Sequence, residues 1–157
     1  MNNSFSGSAI DKSLYEWIVD NLDPGKTILE FGSGKGSTMN LSKHFKMISI
    51  EHDIKWIGKY NSKYIWAPII KEYNWYDINI IKKHISKLKY DMILVDGPVG
   101  EGNRNGFLEN LDMFDIDDKD IIIDDISRKG EMDLFINLIK KLKRKHIKQD
   151  KWGVLLK

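Results

Sequence analysis

Four short apolar runs in this sequence stop abruptly, each at glycine or at acid. Thr27–Phe31 runs into Gly32-Ser33-Gly34-Lys35-Gly36, and Met47–Ile50 into Glu51-His52-Asp53. Asp91–Val95 runs into Asp96-Gly97-Pro98, and Asp120–Ile123 into Asp124-Asp125. Runs of four or five residues rich in isoleucine and valine have strand length, and longer amphipathic segments separate them. That alternation predicts an α/β fold around a mostly parallel sheet.

The remaining elements fill in around these runs. Ser8 and Asp11 form an S-x-x-D start signal for a helix reaching about Leu22, with Ile10, Leu14, Trp17 and Ile18 on its apolar face. Asp23-Pro24-Gly25 ends it. Helices are expected at 37–44, 54–60, 77–88, 107–114 and 131–145, the last with Leu134, Phe135, Leu138, Ile139 and Leu142 inward. A third strand is expected over 64–70, although Pro68 lies inside it. Residues 147–151 and 153–156 would close the sheet as an antiparallel pair. The expected fold is Rossmann-like: a doubly wound, seven-stranded, mostly parallel sheet with an antiparallel last strand and helices on both faces. Residues 1–157 form one domain in this reading, with 1–25 as N-terminal helix and lid and 26–157 as the core.

Composition excludes several classes. The 157 residues contain no cysteine, which removes disulfide scaffolds, cysteine zinc sites and thiol nucleophiles together. No run of about 18 apolar residues is present, so no membrane span is expected. Residues 1–11 show no basic-then-apolar leader, and a cytoplasmic protein is expected. The net charge of +2 is too balanced to imply a nucleic-acid partner by itself. Its distribution is uneven: Glu109–Asp125 holds eight acids and one lysine, whereas Lys140–Lys148 holds six basic residues and no acid.

The G-x-G-x-G turn after Thr27–Phe31 permits a tight bend and close approach of a ligand to the backbone. The helix that follows, beginning near Ser37 and Thr38, offers N–H groups to a polar ligand. The dinucleotide fingerprint would need a third glycine where Ser37 stands, and no Gly-Lys-Ser/Thr phosphate loop follows. Glu51 ends the next strand, 15 residues after Gly36, where a doubly wound sheet brings a carboxylate beside the glycine turn. It could there accept both hydroxyls of a ribose. Asp96, Asp124 and Asp125 also fall at strand ends, where their mutual repulsion invites a proton or a hard cation such as magnesium.

With LEFGSGKGST at 29–38, ISIEHD at 48–53, YDMILVDGP at 90–98 and IIIDDISR at 121–128, the chain resembles the class I S-adenosylmethionine-dependent methyltransferases over nearly its whole length. It is most similar to small bacterial members carrying Glu-His-Asp, Trp-Tyr-Asp and Asp-Gly-Pro, here Glu51-His52-Asp53, Trp75-Tyr76-Asp77 and Asp96-Gly97-Pro98. The resemblance implies S-adenosylmethionine as cofactor. Glu30, Gly32 and Gly34 would hold its methionine end, with Gly36, Ser37 and Thr38 completing the turn. Glu51 would bind the ribose, His52 would flank the adenine, and Asp77 would bond the adenine amino group or else cap a helix. Asp96 would close the cofactor site.

Asp96, Asp124 and Asp125 also resemble the magnesium ligands of metal-dependent O-methyltransferases. Two departures stand out: Asp125 takes the place of an asparagine, and Val99 takes that of a lysine. Without metal, Asp96 or Asp124 would act as general base for a hydroxyl. Arg104, suited to a carboxylate or phosphate, joins them on the acceptor side; an ion pair with a neighbouring aspartate is its simpler role. The expected activity is therefore O-methylation of a small-molecule or sugar hydroxyl, with no membrane partner and nucleic acid disfavoured. Acceptor recognition would come from residues 1–25, 97–107 or 126–131, or from a second subunit in a homodimer. An RNA methyltransferase, drawing on the basic run, and a non-catalytic module of the same fold are the alternatives.

Overall fold

A computed structural model of the protein describes residues 10–99 and 103–157. The S-x-x-D partner Ser8, the remainder of the expected lid before Ile10, and residues 100–102 of the glycine-rich loop lie outside the described residues. Helix α1 (Lys12–Asn21) starts at Asp11, which is itself the N-cap and accepts from Ser13 N. Strand β1 (Thr27–Phe31), the single turn α2 (Thr38–Leu41) and β2 (Lys46–Glu51) follow.

The region after β2 departs from expectation. The helix expected over 54–60 is one 3₁₀ turn, Ile54–Trp56, ended before Gly58, whose φ is +73°. The expected strand 64–70 is split. β3 (Lys63–Trp66) joins the main sheet, whereas β4 (Ile69–Ile70) turns away and pairs antiparallel with β5 (Trp75–Tyr76). Pro68 sits at the break, where a residue without an N–H ends a ladder at no cost.

Then come α3 (Ile78–Ile85), β6 (Met92–Val95), α4 (Gly106–Glu109) with a 3₁₀ turn at Leu111–Met113, and β7 (Asp120–Asp124). Helix α5 (Lys129–Leu142) leads to β8 (His146–Lys148) and β9 (Trp152–Leu155). The helix expected over 107–114 is thus two short turns. The seven-stranded sheet has the order β3-β2-β1-β6-β7-β9-β8. β9 is antiparallel to both its neighbours, and every other pair in the sheet is parallel.

Each central strand is buried on both faces. One face packs Phe31, Ile50, Ile93 and Ile123 against Ile81 and Ile85 of α3, Phe107 of α4, and Leu134 and Leu138 of α5. The other packs Ile28, Met92, Leu94 and Val154 against Leu14 and Ile18 of α1 and Leu41 of α2. This is the Rossmann-like arrangement the sequence predicts. Among the described residues, no helix is long and apolar enough to cross a membrane.

Candidate functional site

β2, β1, β6 and β7 lie side by side and run the same way, so the four motif-bearing tips share one edge. A cleft opens there, lined by the glycine turn, Glu51, His52 and Asp53 on one side and by Asp96, Val99, Arg104, Asp125 and Arg128 on the other. The strand order reverses between β1 and β6, with β2 and β3 added on one side and β7 on the other, and that switch point opens the crevice where open α/β sheets bind ligands.

The floor is two glycines in contact. Gly32 has φ +90°, and a Cβ on it would lie 3.3 Å from the Asp96 carbonyl carbon and the Gly97 Cα. A Cβ on Gly97 would meet the Tyr76 hydroxyl at 2.6 Å and the Gly32 Cα at 2.9 Å. Side chains at either position would separate β1 from β6 where the cleft begins.

The first three amides of the glycine turn are bonded within the protein. Gly32 N donates to Ile50 O at 2.8 Å, Ser33 N to Glu51 Oε2 at 2.8 Å, and Gly34 N to Thr38 Oγ1 at 3.0 Å. In a phosphate loop such amides converge on the anion instead. What Gly32 and Gly34 offer a ligand is therefore surface and close approach rather than these donors. Ser37 lines the cleft, whereas Gly36 is buried and its carbonyl accepts from Asn40 Nδ2.

Glu30 is fully buried behind the turn and does not line the cleft, against the expectation that it touches the methionine end. Its Oε2 accepts from Thr38 Oγ1 and Ser49 Oγ, both at 2.6 Å, while Oε1 is buried without a hydrogen-bond partner among the described residues. Burial pushes its pKa up to about 7. Thr38, also buried, links Glu30 to Gly34 N and to the Ser33 hydroxyl, which in turn meets Tyr64 OH at 3.0 Å. Glu30 and Thr38 therefore shape the turn from below.

Glu51 is where the sequence puts it, at the tip of β2 and 3 % exposed. Oε1 accepts from His52 N and Asp53 N, both at 2.7 Å, and Oε2 accepts from Ser33 N. One carboxylate thus fixes both walls of this end of the cleft. His52 lines it beside Trp56, and the Glu51 carboxylate raises the histidine's pKa. Asp77 is elsewhere: it caps α3, accepting from Asn79 N at 2.9 Å and Ile80 N at 3.4 Å, and does not line the cleft. Of the two roles expected for Asp77, these contacts are those of the helix cap.

At the other end, Asp96, Asp124 and Asp125 converge, each offering an oxygen within 4.8 Å of the others. Asp96 and Asp125 line the cleft, and Asp124 is buried behind them. Burial, reinforced by the charge of Asp124, holds the Asp96 pKa well above the ordinary carboxylate range. Burial and then the charge of Asp125 push Asp124 up to about 6.

Arg104 ties this cluster together. It is 3 % exposed, donates to Asp124 O and Asp96 O at 2.8 Å each, and meets Asp125 Oδ2 at 2.9 Å. Its Nη2 stands 3.6 Å from Asp96 Oδ1, and its Nε 3.8 Å from Glu131 Oε1. Burial opposes its charge, but Asp96, Asp125 and Glu131 outweigh that and raise its pKa. The guanidinium is thus committed within the protein, while Arg128, 56 % exposed and 3.3 Å from Asp125 Oδ2, keeps a free face to the cleft. Sequence reading missed Ser33, between the first two glycines of the turn, and Glu131, in the first turn of α5; nothing in their local sequence marks either.

The basic run lies far from all this. α5 starts after the tip of β7 and runs back along the sheet, so Lys140–Lys145 sit at the opposite end. There Arg144 donates to Lys119 O and Ile116 O, within the acidic stretch 109–125.

No protein-family model and no curated protein matches the sequence. Among solved structures, the chain is similar to the SAH-bound Podospora anserina methyltransferase PaMTH1, with a TM-score of 0.52 and 14% identity over 84% of this chain and 72% of that one. At that identity the likeness is one of fold: the chain carries a Rossmann-like methyltransferase fold, as its resemblance to the class I enzymes implies.

Proposed function

We propose that the chain is an S-adenosylmethionine-dependent methyltransferase that transfers the methyl group to a hydroxyl of a small-molecule or carbohydrate acceptor. The observation that carries this reading is the shared cleft at the tips of β1, β2 and β6, where Glu51 stands at the rim and its carboxylate binds the Ser33 amide of the glycine turn. With the amides of Gly32, Ser33 and Gly34 committed inside the protein, the first half of the turn offers no donors to a pyrophosphate, which disfavours a nicotinamide cofactor. Glu51 and His52 would hold the ribose and adenine end, and Gly32, Gly34 and Ser37 the methionine end.

When bound, the cofactor supplies a methyl group on a positively charged sulfur, already activated for transfer. The protein's own work is alignment, which supplies most of the acceleration in a direct displacement. It must also remove the acceptor's proton. Asp96 faces the cleft, and burial pushes the pKa of Asp124 beside it up to about 6. As the acceptor oxygen takes the methyl group, its proton would pass to Asp96. Arg128 and Val99 border the space left for the acceptor. The basic run lies at the other end of the sheet and lends no support to a nucleic-acid acceptor at this cleft.

Calorimetric titration with S-adenosylhomocysteine, with NAD as control, tests the reading. Micromolar binding of the first and none of the second is expected. No binding of S-adenosylhomocysteine, or equal binding of NAD, refutes it.

A further inference from the structure

The geometry points to Arg104 as a built-in cation whose guanidinium takes the place of a divalent ion among Asp96, Asp124 and Asp125. This inference concerns the carboxylate cluster alone and stands whatever ligand fills the rest of the cleft.

Three observations carry it. First, the spacing: Asp96, Asp124 and Asp125 each bring a carboxylate oxygen within 4.8 Å of the others, so the cluster calls for a positive charge beside it. Second, the ligands are taken. Asp125 Oδ2 already meets two guanidinium groups, Arg104 at 2.9 Å and Arg128 at 3.3 Å, and Arg104 Nη2 reaches toward Asp96 Oδ1 at 3.6 Å. A metal bonded to the same oxygens would stand against a buried positive charge, a repulsion only weakly screened in the interior. Third, Arg104 is anchored. Its two bonds to the carbonyls of Asp96 and Asp124 fasten it to the ends of β6 and β7, so it cannot swing out without leaving both strand tips unpaired.

Arg104 thus acts as a positioning residue for the cluster. Its fixed plane holds the tips of β6 and β7 at one separation and supplies the charge that lets several carboxylates share a buried space. Under it lies a latent metal site: remove the guanidinium and the same oxygens lose their counter-ion.

The test uses the full chain with Arg104→Met, which removes the charge but keeps the bulk, and Arg104→Lys, which keeps the charge. Manganese(II) alone is the probe, followed by the loss of its free-ion paramagnetic resonance signal. The parent and Arg104→Lys are expected to show no saturable binding up to about 1 mM, the weak end of protein divalent sites. Arg104→Met is expected to bind at least about tenfold more tightly, because its carboxylates lack compensation. A purely structural role for Arg104 would create no such site. Saturable binding by the parent, or folded Arg104→Met that binds no better than the parent, overturns the inference. Should Arg104→Met fold only when manganese is present, the inference is supported; failure to fold with and without it overturns the substitution of one cation for another.

Discussion

Replacing Glu51 by glutamine separates its work on the protein from its work on a ligand. The carboxylate accepts three backbone N–H groups, two on Oε1 and one on Oε2, and is almost fully buried. An amide of the same shape has one acceptor. In its better orientation the oxygen stays with His52 N and Asp53 N, and the NH₂ turns toward Ser33 N–H, donor against donor. One charge-assisted bond is lost, worth about 1.5–3 kcal/mol, and two become neutral. Glu51→Gln should therefore destabilise the fold by about 2–4 kcal/mol. Urea unfolding at pH 7 gives that number, and amide exchange at Ser33 localises it to the glycine turn. Affinity for S-adenosylhomocysteine should fall with it, because the turn and the ribose site share the carboxylate. A loss under about 0.5 kcal/mol with unchanged Ser33 exchange would show that these bonds do not hold the turn.

Other substitutions address other parts of the site. Gly97→Ala puts a methyl 2.9 Å from the Gly32 Cα, so it should cost about 1–3 kcal/mol and weaken cofactor binding; because the obstacle is backbone, adding Tyr76→Phe should not restore either, and recovery would be counter to the argument. Glu30 has its pKa raised from 4.5 to about 7, so it is neutral without penalty at low pH and becomes a buried charge as pH rises. The parent should lose about 3 kcal/mol from this group between pH 4.5 and 7, with no further change above, and Glu30→Gln should not; parallel stability–pH curves for the two proteins would refute the shift. Asp77→Ala should cost about 1 kcal/mol of stability as a lost helix cap and leave S-adenosylhomocysteine affinity unchanged. A drop in affinity without a drop in stability would return Asp77 to the adenine site.

What the sequence reveals here is what nearest neighbours along the chain decide. The motif-bearing strands lie within a residue or so of where apolar runs meet their stops: Glu51 is the last residue of β2, and Asp96 follows β6 directly. The helices around 54–60 and 107–114 were less legible. Their apolar spacing fits a helix, but Gly58, with φ +73°, and the turn at Asn110 divide them into single turns. The division of 64–70 into two strands of different sheets depends on pairing with Trp75 and Tyr76, which no local pattern states.

The site shows the same limit. Glu51 and the glycine turn were legible because both lie at the ends of recognisable strands. That Glu30 is held behind the turn depends on Thr38 and Ser49, which only the folded chain brings to it. Arg104 was legible as a residue near aspartates; its bonds to two carbonyls from neighbouring strands, 8 and 20 residues away in the chain, were not.

The unequal coverage of the two sheet faces has a consequence for how the molecule comes apart. α1 packs on its face of the sheet through Leu14 and Ile18, with the preceding Ile10. A sub-global opening that detaches it uncovers Ile28, Met92, Leu94 and Val154 as one apolar stripe, yet leaves every strand pair intact. No described residue of α1 lines the cleft. A ligand at the strand tips therefore tightens the sheet without restraining this helix. Self-association through the uncovered stripe should begin from the liganded protein as readily as from the free one.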